Sequence, residues 1–224
     1  MTAITCHRPD LRWALAACLP HVARGLDTTA RLHAVRLELE PGTLYAVATD
    51  RYTLGCAAIP VRYDGDPATA LIAADDAREL VKRLARRDDS PAVLELYEDG
   101  DIAVDYRVRY SSLRYPGPWR AGQVLDYPDW RTTLSQLVHA APAVPGRADG
   151  LNPEYLGRFT CARRPGCASR ALTVMPVASR GSRADAVVLG EWFAGAVAST
   201  RLDCSDYDPR AVLADWRARL PEAS

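Results

Sequence analysis

The chain has 224 residues, of which 48% are hydrophobic and 25% charged, and its 28 basic and 28 acidic residues give a formal net charge of zero. This length and composition predict one large or two small globular domains with enough apolar residues to form a core. The balanced charge argues against a strongly basic nucleic-acid-binding protein, although charge can still be concentrated on one face.

The sequence contains no motif of a catalytic, metal-binding or cofactor-binding site. The four histidines are dispersed, the six cysteines lack zinc-ligand spacing, and no glycine-rich loop of the Walker or Rossmann type is present. We interpret the cysteines as reduced, mostly buried thiols, with a metal site or disulfide as the alternative. The chain is predicted to be non-enzymatic and without a cofactor; an enzyme with an unrecognised site is the alternative.

No targeting or membrane segment is predicted. No apolar run approaches the roughly 20 residues that a membrane-spanning helix needs. Charged residues at Arg8, Asp10 and Arg12 interrupt the pattern of a signal peptide near the start of the sequence. The cytoplasm is therefore the expected location.

The first part of the chain predicts the order strand, helix, strand, strand, strand. A short strand at residues 3–6 precedes a helix over about 11–24, in which apolar residues recur at helical spacing and Pro20 predicts a kink or an early end. A period-two strand at 32–40 then leads to a hairpin around Asp50. Aspartate suits such a bend because its carboxylate can accept a hydrogen bond from the backbone two residues on.

The next part of the chain repeats this order. The doubling predicts an α+β fold in which one domain consists of two pseudo-symmetric strand-helix-strands halves, with two helices packed on sheet. The predicted elements are a strand at 70–72, a helix over 75–87 capped by Asp75 or Asp76, and strands at 92–97, 102–108 and 110–115, with a hairpin turn at 98–101.

Four motifs then occur in order between residues 44 and 156. They are ATDRYTLG at 48–55, LIA at 71–73 before a helix, LDYPDWRTTL at 125–134 and LNPEYL at 151–156. They resemble the hairpin ATDG-(aromatic or His)-RLA, an IVP strand leading into a helix, the closing FPDYR-x-x-L and the helix start FN-x-x-YL of one family. That family is the bacterial DNA polymerase III beta subunit, the sliding clamp.

The resemblance implies a DNA-clamp-like domain over residues 1–134, similar to the middle domain of the clamp. A linker at 135–150 and a partial second clamp-like domain at 151–202 follow, and residues 203–224 form a tail whose apolar residues have helical spacing. A family clamp has three domains per chain and closes as a ring of two chains. This chain therefore resembles a reduced or divergent member, and a homo-oligomer is implied.

A clamp encircles duplex DNA with helices whose basic side chains contact the phosphates loosely and without sequence preference. Asp75 and Asp76 occupy a helix start where family members often carry basic residues, so this face is less positive than the family pattern. For each basic residue, a solvated helix face is the alternative interpretation. The DNA-facing candidates are Arg12, Arg24, Arg78, Lys82, Arg83 and Arg86.

The family also binds short apolar peptides of its partner proteins in a cleft between the middle and last domains. Thr53 replaces the usual family arginine, and the Met-Pro expected near Ser199 is missing, so the standard clamp-binding peptide is expected to bind weakly or not at all. Ordinary packing between domains is the alternative interpretation. The cleft candidates are Thr49, Tyr52, Thr53, Leu54, Pro128, Thr132, Thr133, Tyr155, Arg201 and Leu202.

Two functions follow from the resemblance. The first is a sliding-clamp-like accessory protein of DNA replication or repair, which binds duplex DNA, a DNA polymerase or clamp-loader-like proteins. The second is a regulator or decoy that keeps the clamp fold and binds proteins but does not encircle DNA.

Overall fold

The computed structural model describes residues 2–24, 30–85, 91–97, 102–105, 108–110, 127–139, 151–166, 172–177 and 185–198. Its first part contains β1 (Thr2–His7), α1 (Arg8–Cys18), β2 (Ala34–Glu40), β3 (Thr43–Thr49), β4 (Thr53–Arg62), β5 (Ala68–Ala73), α2 (Ala74–Arg83), β6 (Pro91–Leu96), β7 (Ile102–Val104) and β8 (Val108–Tyr110). Its second part contains α3 (Trp130–Val138), α4 (Pro153–Gly157), β9 (Thr173–Val177), β10 (Asp185–Gly190) and β11 (Phe193–Ala198).

The first part is the duplicated α+β domain that the sequence predicted. The order β1, α1, β2, β3, β4 is followed by β5, α2, β6, β7, β8. The first strand of each half pairs antiparallel with the first hairpin strand of the other half: β1 with β6, and β5 with β2. The two halves are therefore interlocked, and their helices α1 and α2 pack against each other.

Both helices end earlier than the periodicity of the sequence predicted. The predicted helix over 11–24 ends as an α-helix at Cys18, and a 3-10 turn over Leu19–His21 follows it. Pro20 is the physical reason, because proline has no N–H to donate and its ring clashes with the preceding turn of an α-helix. The predicted helix over 75–87 ends at Arg83, and residues 86 and 87 lie outside the described part of the chain.

Strand β4 connects the two parts of the molecule. One edge of β4 pairs with β3 over most of its length. The other edge pairs first with β11, at Thr53 to Ala57, and then with β1, at Val61 and Arg62. Because β11 continues to β10 and β9, the strands of the second part extend the sheet of the first.

Helix α3 crosses the boundary that the sequence predicted at residue 134. Its N-cap is Asp129, whose carboxylate accepts a hydrogen bond from the N–H of Thr132 at 3.0 Å. The helix continues through the first residues of the predicted linker to Val138, because Leu134 and Leu137 pack on the sheet. The rest of that linker, from residue 140, and the predicted tail at 203–224 lie outside the described residues.

A polar cluster fixes α3 to the sheet. The indole N–H of Trp130 donates to Glu38 Oε1 at 3.0 Å, and Nε of Arg131 donates to Glu38 Oε2 at 3.1 Å. The Arg131 guanidinium also lies over the Tyr45 ring, 4.7 Å from its centroid, and donates to Glu40 at 2.7 Å. Glu38 is thus a buried carboxylate that accepts hydrogen bonds from one charged and one neutral donor. Such hydrogen bonds stabilise a charge that is removed from water.

Two further boundaries differ from the sequence predictions. The predicted strand at 102–108 ends at Val104, because Asp105 adopts the left-handed region at φ 55° and turns the chain. The next strand is Val108–Tyr110, and the predicted continuation to 115 lies outside the described residues. Asp105 is held by Arg8, whose Nη1 lies 2.8 Å from its carboxylate.

Apolar side chains are buried on both faces of the sheet. The larger core lies under α1, α2 and the turn after α4. A smaller cluster between the sheet and α3 contains Val47, Leu54, Cys56, Trp130 and Leu134. Of the four cysteines that the structure describes, three are buried and none forms a disulfide. None of the described helices combines the length and apolar character that crossing a bilayer requires.

Candidate functional site

The tip of the β3–β4 hairpin is fixed by the carboxylate of Asp50. Its Oδ1 accepts hydrogen bonds from the backbone N–H groups of Tyr52 at 3.0 Å and Thr53 at 2.8 Å, and from the Thr53 hydroxyl at 3.1 Å. Arg51 takes the left-handed backbone conformation at φ 76° that closes the turn. Tyr52, 54% exposed, is therefore presented to solvent on a rigid turn.

Arg158, in the 3-10 turn that follows α4, connects the second part of the chain to this tip. Its Nη1 donates to Asp50 Oδ2 and, at 2.9 Å, to the Thr53 hydroxyl. Burial alone would raise the pKa of Asp50, but the hydrogen bonds from Arg158 and from the Thr53 backbone lower it. The pair is mostly buried, so each charge depends on the other for its solvation.

Tyr52 and Tyr155 stack on each other above this ion pair. Their ring centroids are 5.7 Å apart with an interplanar angle of 23°. Tyr155 stands on α4, which Asn152 caps by accepting from the N–H of Glu154 at 2.9 Å, and its other neighbour is the Arg158 guanidinium, 4.9 Å from the ring centroid. Burial, and then the charge of Asp50, raise the pKa of Tyr155. The result is an aromatic shelf built from both parts of the chain.

The predicted cleft residues lie on two sides of the β3–β4 hairpin, because side chains alternate along a strand. Thr53 faces α4 and bonds Arg158, whereas Leu54 faces α3 and packs with Trp130 and Leu134. These residues therefore lie around the end of the hairpin, from the Tyr52–Tyr155 shelf to α3. We call this predicted site the docking groove.

The structure separates the predicted cleft residues into accessible and supporting ones. Thr49, Thr53 and Leu54 are buried and form the support. Tyr52, Thr132 and Thr133 are exposed, and Pro128 and Tyr155 are partly exposed, so a ligand can reach them. Arg201 and Leu202 lie outside the described residues, and the use of the groove as a binding site stays a prediction.

The basic candidates that the structure describes are exposed, but some of their charge is compensated. Arg78 Nη1 lies 2.6 Å from Asp75, and Arg83 Nε lies 3.1 Å from Glu79, both within α2. Among the described residues, Arg12, Arg24 and Lys82 have no ion-pair partner. Arg86 lies outside the described residues. Two of the candidate charges on α2 are therefore balanced by neighbouring carboxylates, and contact of these residues with DNA stays a prediction.

Sequence reasoning missed His21, which lies where the two parts meet. It is fully buried, 4.6 Å from the Phe159 ring and 6.2 Å from the Phe193 ring, centroid to centroid. Gly55 makes room for it, since a Cβ there would lie 2.4 Å from the imidazole. Neither ring nitrogen has a hydrogen-bond partner among the described residues. Burial, and then the charge of Arg158, lower the pKa of His21 to about 3.

A second ion pair between the two parts was also missed. Arg164 donates to both carboxylate oxygens of Asp10, at 3.0 and 2.7 Å, and its guanidinium lies over the Trp192 ring, 4.8 Å from the centroid. The sequence indicated no partner for Asp10, because a residue so distant along the chain leaves no local pattern. In the described part of the chain, no three His, Cys, Asp or Glu side chains are grouped to hold a metal ion.

Two interlocked strand-helix-strands halves, with adjacent helices on a continuous antiparallel sheet, define the fold of a DNA clamp. Similar solved structures include the DNA polymerase III beta subunit of Thermotoga maritima, with a TM-score of 0.61, 12% identity, and coverage of 92% of this chain and 66% of that chain. The DNA polymerase sliding clamp of Pseudomonas aeruginosa gives a TM-score of 0.59 and 15% identity, over 89% of this chain and 67% of that chain.

The Helicobacter pylori beta clamp is similar to the same degree, with a TM-score of 0.60, 12% identity, and coverage of 99% of this chain and 68% of that chain. The resemblance to the DNA polymerase III beta subunit is thus confirmed for the fold, and the chain spans about two thirds of the length of these clamps. No protein-family model and no curated protein matches the sequence.

Asp50→Asn is expected to lower the free energy of unfolding by about 2–4 kcal/mol, because it leaves the partly buried Arg158 guanidinium without its carboxylate. The matched control is Glu79→Gln, which breaks a half-exposed pair within α2 and should cost at most about 0.5 kcal/mol. Urea denaturation measures both. Adding Arg158→Met to Asp50→Asn should recover part of the lost free energy of unfolding. If the effects of the two substitutions on this free energy were strictly additive, coupling between the two side chains would be contradicted.

Stability should fall on acidification because of His21. The unfolded chain protonates the imidazole at its ordinary pKa of 6.5, whereas the folded chain does so only at about 3. Between these values the unfolded state binds more protons, so stability is lost as the pH falls through this window, by about 2 kcal/mol at pH 5 relative to pH 7.

His21→Phe removes this titration and should flatten the dependence of stability on pH between 7 and 5. Urea midpoints of the wild type and His21→Phe at both pH values make the comparison. An unchanged slope in His21→Phe would assign the effect to other groups.

Proposed function

We propose that this chain is a non-enzymatic, sliding-clamp-like accessory protein of DNA replication or repair that binds short apolar segments of other replication proteins in the docking groove. The observation that supports this most is the exposed Tyr52–Tyr155 shelf, held by Asp50 and Arg158 on a clamp fold. We further propose that its partners are a DNA polymerase or clamp-loader-like proteins, that it works as a homo-oligomer, and that it does so in the cytoplasm.

The chemistry of the groove favours apolar ligands. Peptide-binding sites are mostly apolar and carry few polar groups, and tyrosines supply large contact areas at low entropic cost. The Arg158 charge is already neutralised by Asp50, so it is not available to a ligand carboxylate. A rigid shelf whose geometry is fixed before binding loses little entropy when the ligand arrives.

Contact with duplex DNA is the second part of the proposal. Arg12, Arg24 and Lys82 supply exposed cations on and next to α1 and α2. Because Arg78 and Arg83 are paired with acidic neighbours, the contact should be weak, without sequence preference and sensitive to salt. The same charge compensation favours the alternative, a clamp-fold regulator or decoy that binds proteins and does not encircle DNA.

Binding of short labelled peptides with several apolar side chains tests the groove. Tyr52→Ser should weaken binding about thirtyfold, or about 2 kcal/mol, because it removes an aromatic anchor of the shelf. The control is Val174→Ser on β9, which removes an apolar side chain of similar exposure that lies on another strand and should not change the affinity. Equal loss in both variants, or no binding by the wild type, would contradict the proposal.

Mass in solution and retention on circular DNA separate the two alternatives. For a clamp, light scattering should give the mass of an oligomer. If that oligomer closes around DNA, it should stay longer on nicked circular DNA than on linear DNA. Arg12→Glu combined with Lys82→Glu should weaken DNA binding at low salt at least tenfold, whereas Arg78→Gln, whose charge Asp75 already balances, should do so much less. A monomer that leaves both DNA forms equally fast would support the regulator or decoy instead.

A further inference from the structure

A cavity of about 440 Å³ lies at the end of β4 that is remote from the docking groove. Along this strand the pairing with β11 ends at Ala57, and the pairing with β1 begins at Val61. The lining comes from β1, β4 and β6 and includes Thr5, His7, Pro60, Arg62 and Pro91. The volume of this cavity is in the range of small-molecule sites.

The alternation of side chains along the strands separates the polar lining of the cavity from the core. Cys6 and Val61 are buried and belong to the core under α1 and α2. Thr5 and Arg62 lie directly opposite each other in the β1–β4 pair, and Pro60 shares their face of the sheet. These three side chains therefore lie on the face of the sheet away from α1 and α2.

Three polar side chains at this cavity have hydrogen-bonding groups that the protein does not use. The Thr5 hydroxyl and the Arg62 guanidinium form no hydrogen bond or ion pair with other residues in the described part of the chain. Nδ1 of His7 lies 3.4 Å from Asp10 Oδ2, which leaves Nε2 of the imidazole for a ligand. A hydroxyl, an imidazole and a guanidinium together form a set of donors that suits an anion.

The carboxylates near the cavity do not neutralise Arg62. Arg164 donates to both carboxylate oxygens of Asp10, at 3.0 and 2.7 Å, so the charge of Asp10 is already balanced. Asp64 and Asp66 follow β4 in the sequence, but neither forms an ion pair with Arg62. The guanidinium of Arg62 therefore keeps a positive charge that a ligand can neutralise.

A phosphate group matches these donors better than a carboxylate does. A guanidinium binds two oxygens of a phosphate side by side. A phosphate monoester has three terminal oxygens, so one remains for the hydroxyl or the imidazole, whereas a carboxylate has only two. The rings of Pro60 and Pro91 add rigid apolar surfaces to the lining, which suit the organic group of an ester.

From these observations we infer that Thr5, His7 and Arg62 form a binding site for a small phosphate monoester, whose organic group packs on Pro60 and Pro91. The site is separate from the docking groove, which lies at the other end of β4. It is also on the opposite face of the sheet from α1 and α2. The inference therefore goes beyond the proposed function and does not depend on it.

Calorimetric titration of the full-length protein with adenosine 5′-monophosphate at low ionic strength tests the site. The wild type should show saturable binding with a dissociation constant in the millimolar range or below. Arg62→Gln should weaken binding about tenfold, because it removes the charged donor, and Thr5→Val should weaken it about threefold. The matched control is Arg51→Gln, which removes an exposed arginine at the opposite end of β4 and should leave the affinity unchanged.

Inorganic phosphate and adenosine, titrated in the same way, separate the two parts of the ligand. Phosphate should bind more weakly than the monophosphate, because it lacks the group that packs on the prolines, and adenosine should not bind. No saturable binding by the wild type, equal loss in Arg62→Gln and Arg51→Gln, or equal affinity for adenosine and the monophosphate would each overturn the inference.

Two further outcomes would assign the cavity to another ligand. If inorganic phosphate bound as tightly as the monophosphate, the cavity would be a general anion site, and the inferred ester site would be wrong. If duplex DNA displaced the monophosphate and its own binding depended on Arg62, the cavity would hold a phosphate of the DNA backbone, which also overturns the inference. Neither outcome changes the peptide-binding test of the docking groove.

Discussion

The pairing of β4 along both of its edges is the constraint on which the rest of the structure depends. One edge of this strand belongs to its own domain through β3, and the other is divided between β1 and β11. Backbone groups in a buried strand must all find partners. Strand β11 supplies the hydrogen-bond partners of the β4 backbone near Thr53. Detachment of the second part would leave these backbone groups without partners, so the pairing holds the tip of the hairpin in one position.

The groove follows from that constraint. Pairing β11 with β4 brings the turn after α4, whose Phe159 lies against Gly195 of β11, to the hairpin, where Arg158 reaches Asp50 and Tyr155 stacks on Tyr52. Gly55 leaves the space that His21 fills, and His21 packs against Phe159, so apolar packing and polar contacts stabilise the same site. The aromatic shelf is therefore a product of the junction between the two parts and belongs to neither alone.

The sequence predicted what is encoded locally. Period-two and helical spacing, the Asp50 bend and the break at Pro20 each act within a few residues, and the doubled order of elements predicted two pseudo-symmetric halves. The exchange of strands between the halves was not predicted. It could not predict Arg158 with Asp50 or Arg164 with Asp10, because those partners are more than a hundred residues apart and nothing local marks them. His21 was missed for a related reason: the space that it fills is left by Gly55, which lies on the distant strand β4.

The exchange of strands between the two halves also determines when the protein can begin to fold. Strand β1 is completed only by β6, which lies about ninety residues later, and β2 is completed by β5. Contacts of such sequence separation slow folding, because a long loop must close first. During synthesis, β1 therefore keeps an unpaired edge until β6 has left the ribosome, and an unpaired edge is prone to aggregation.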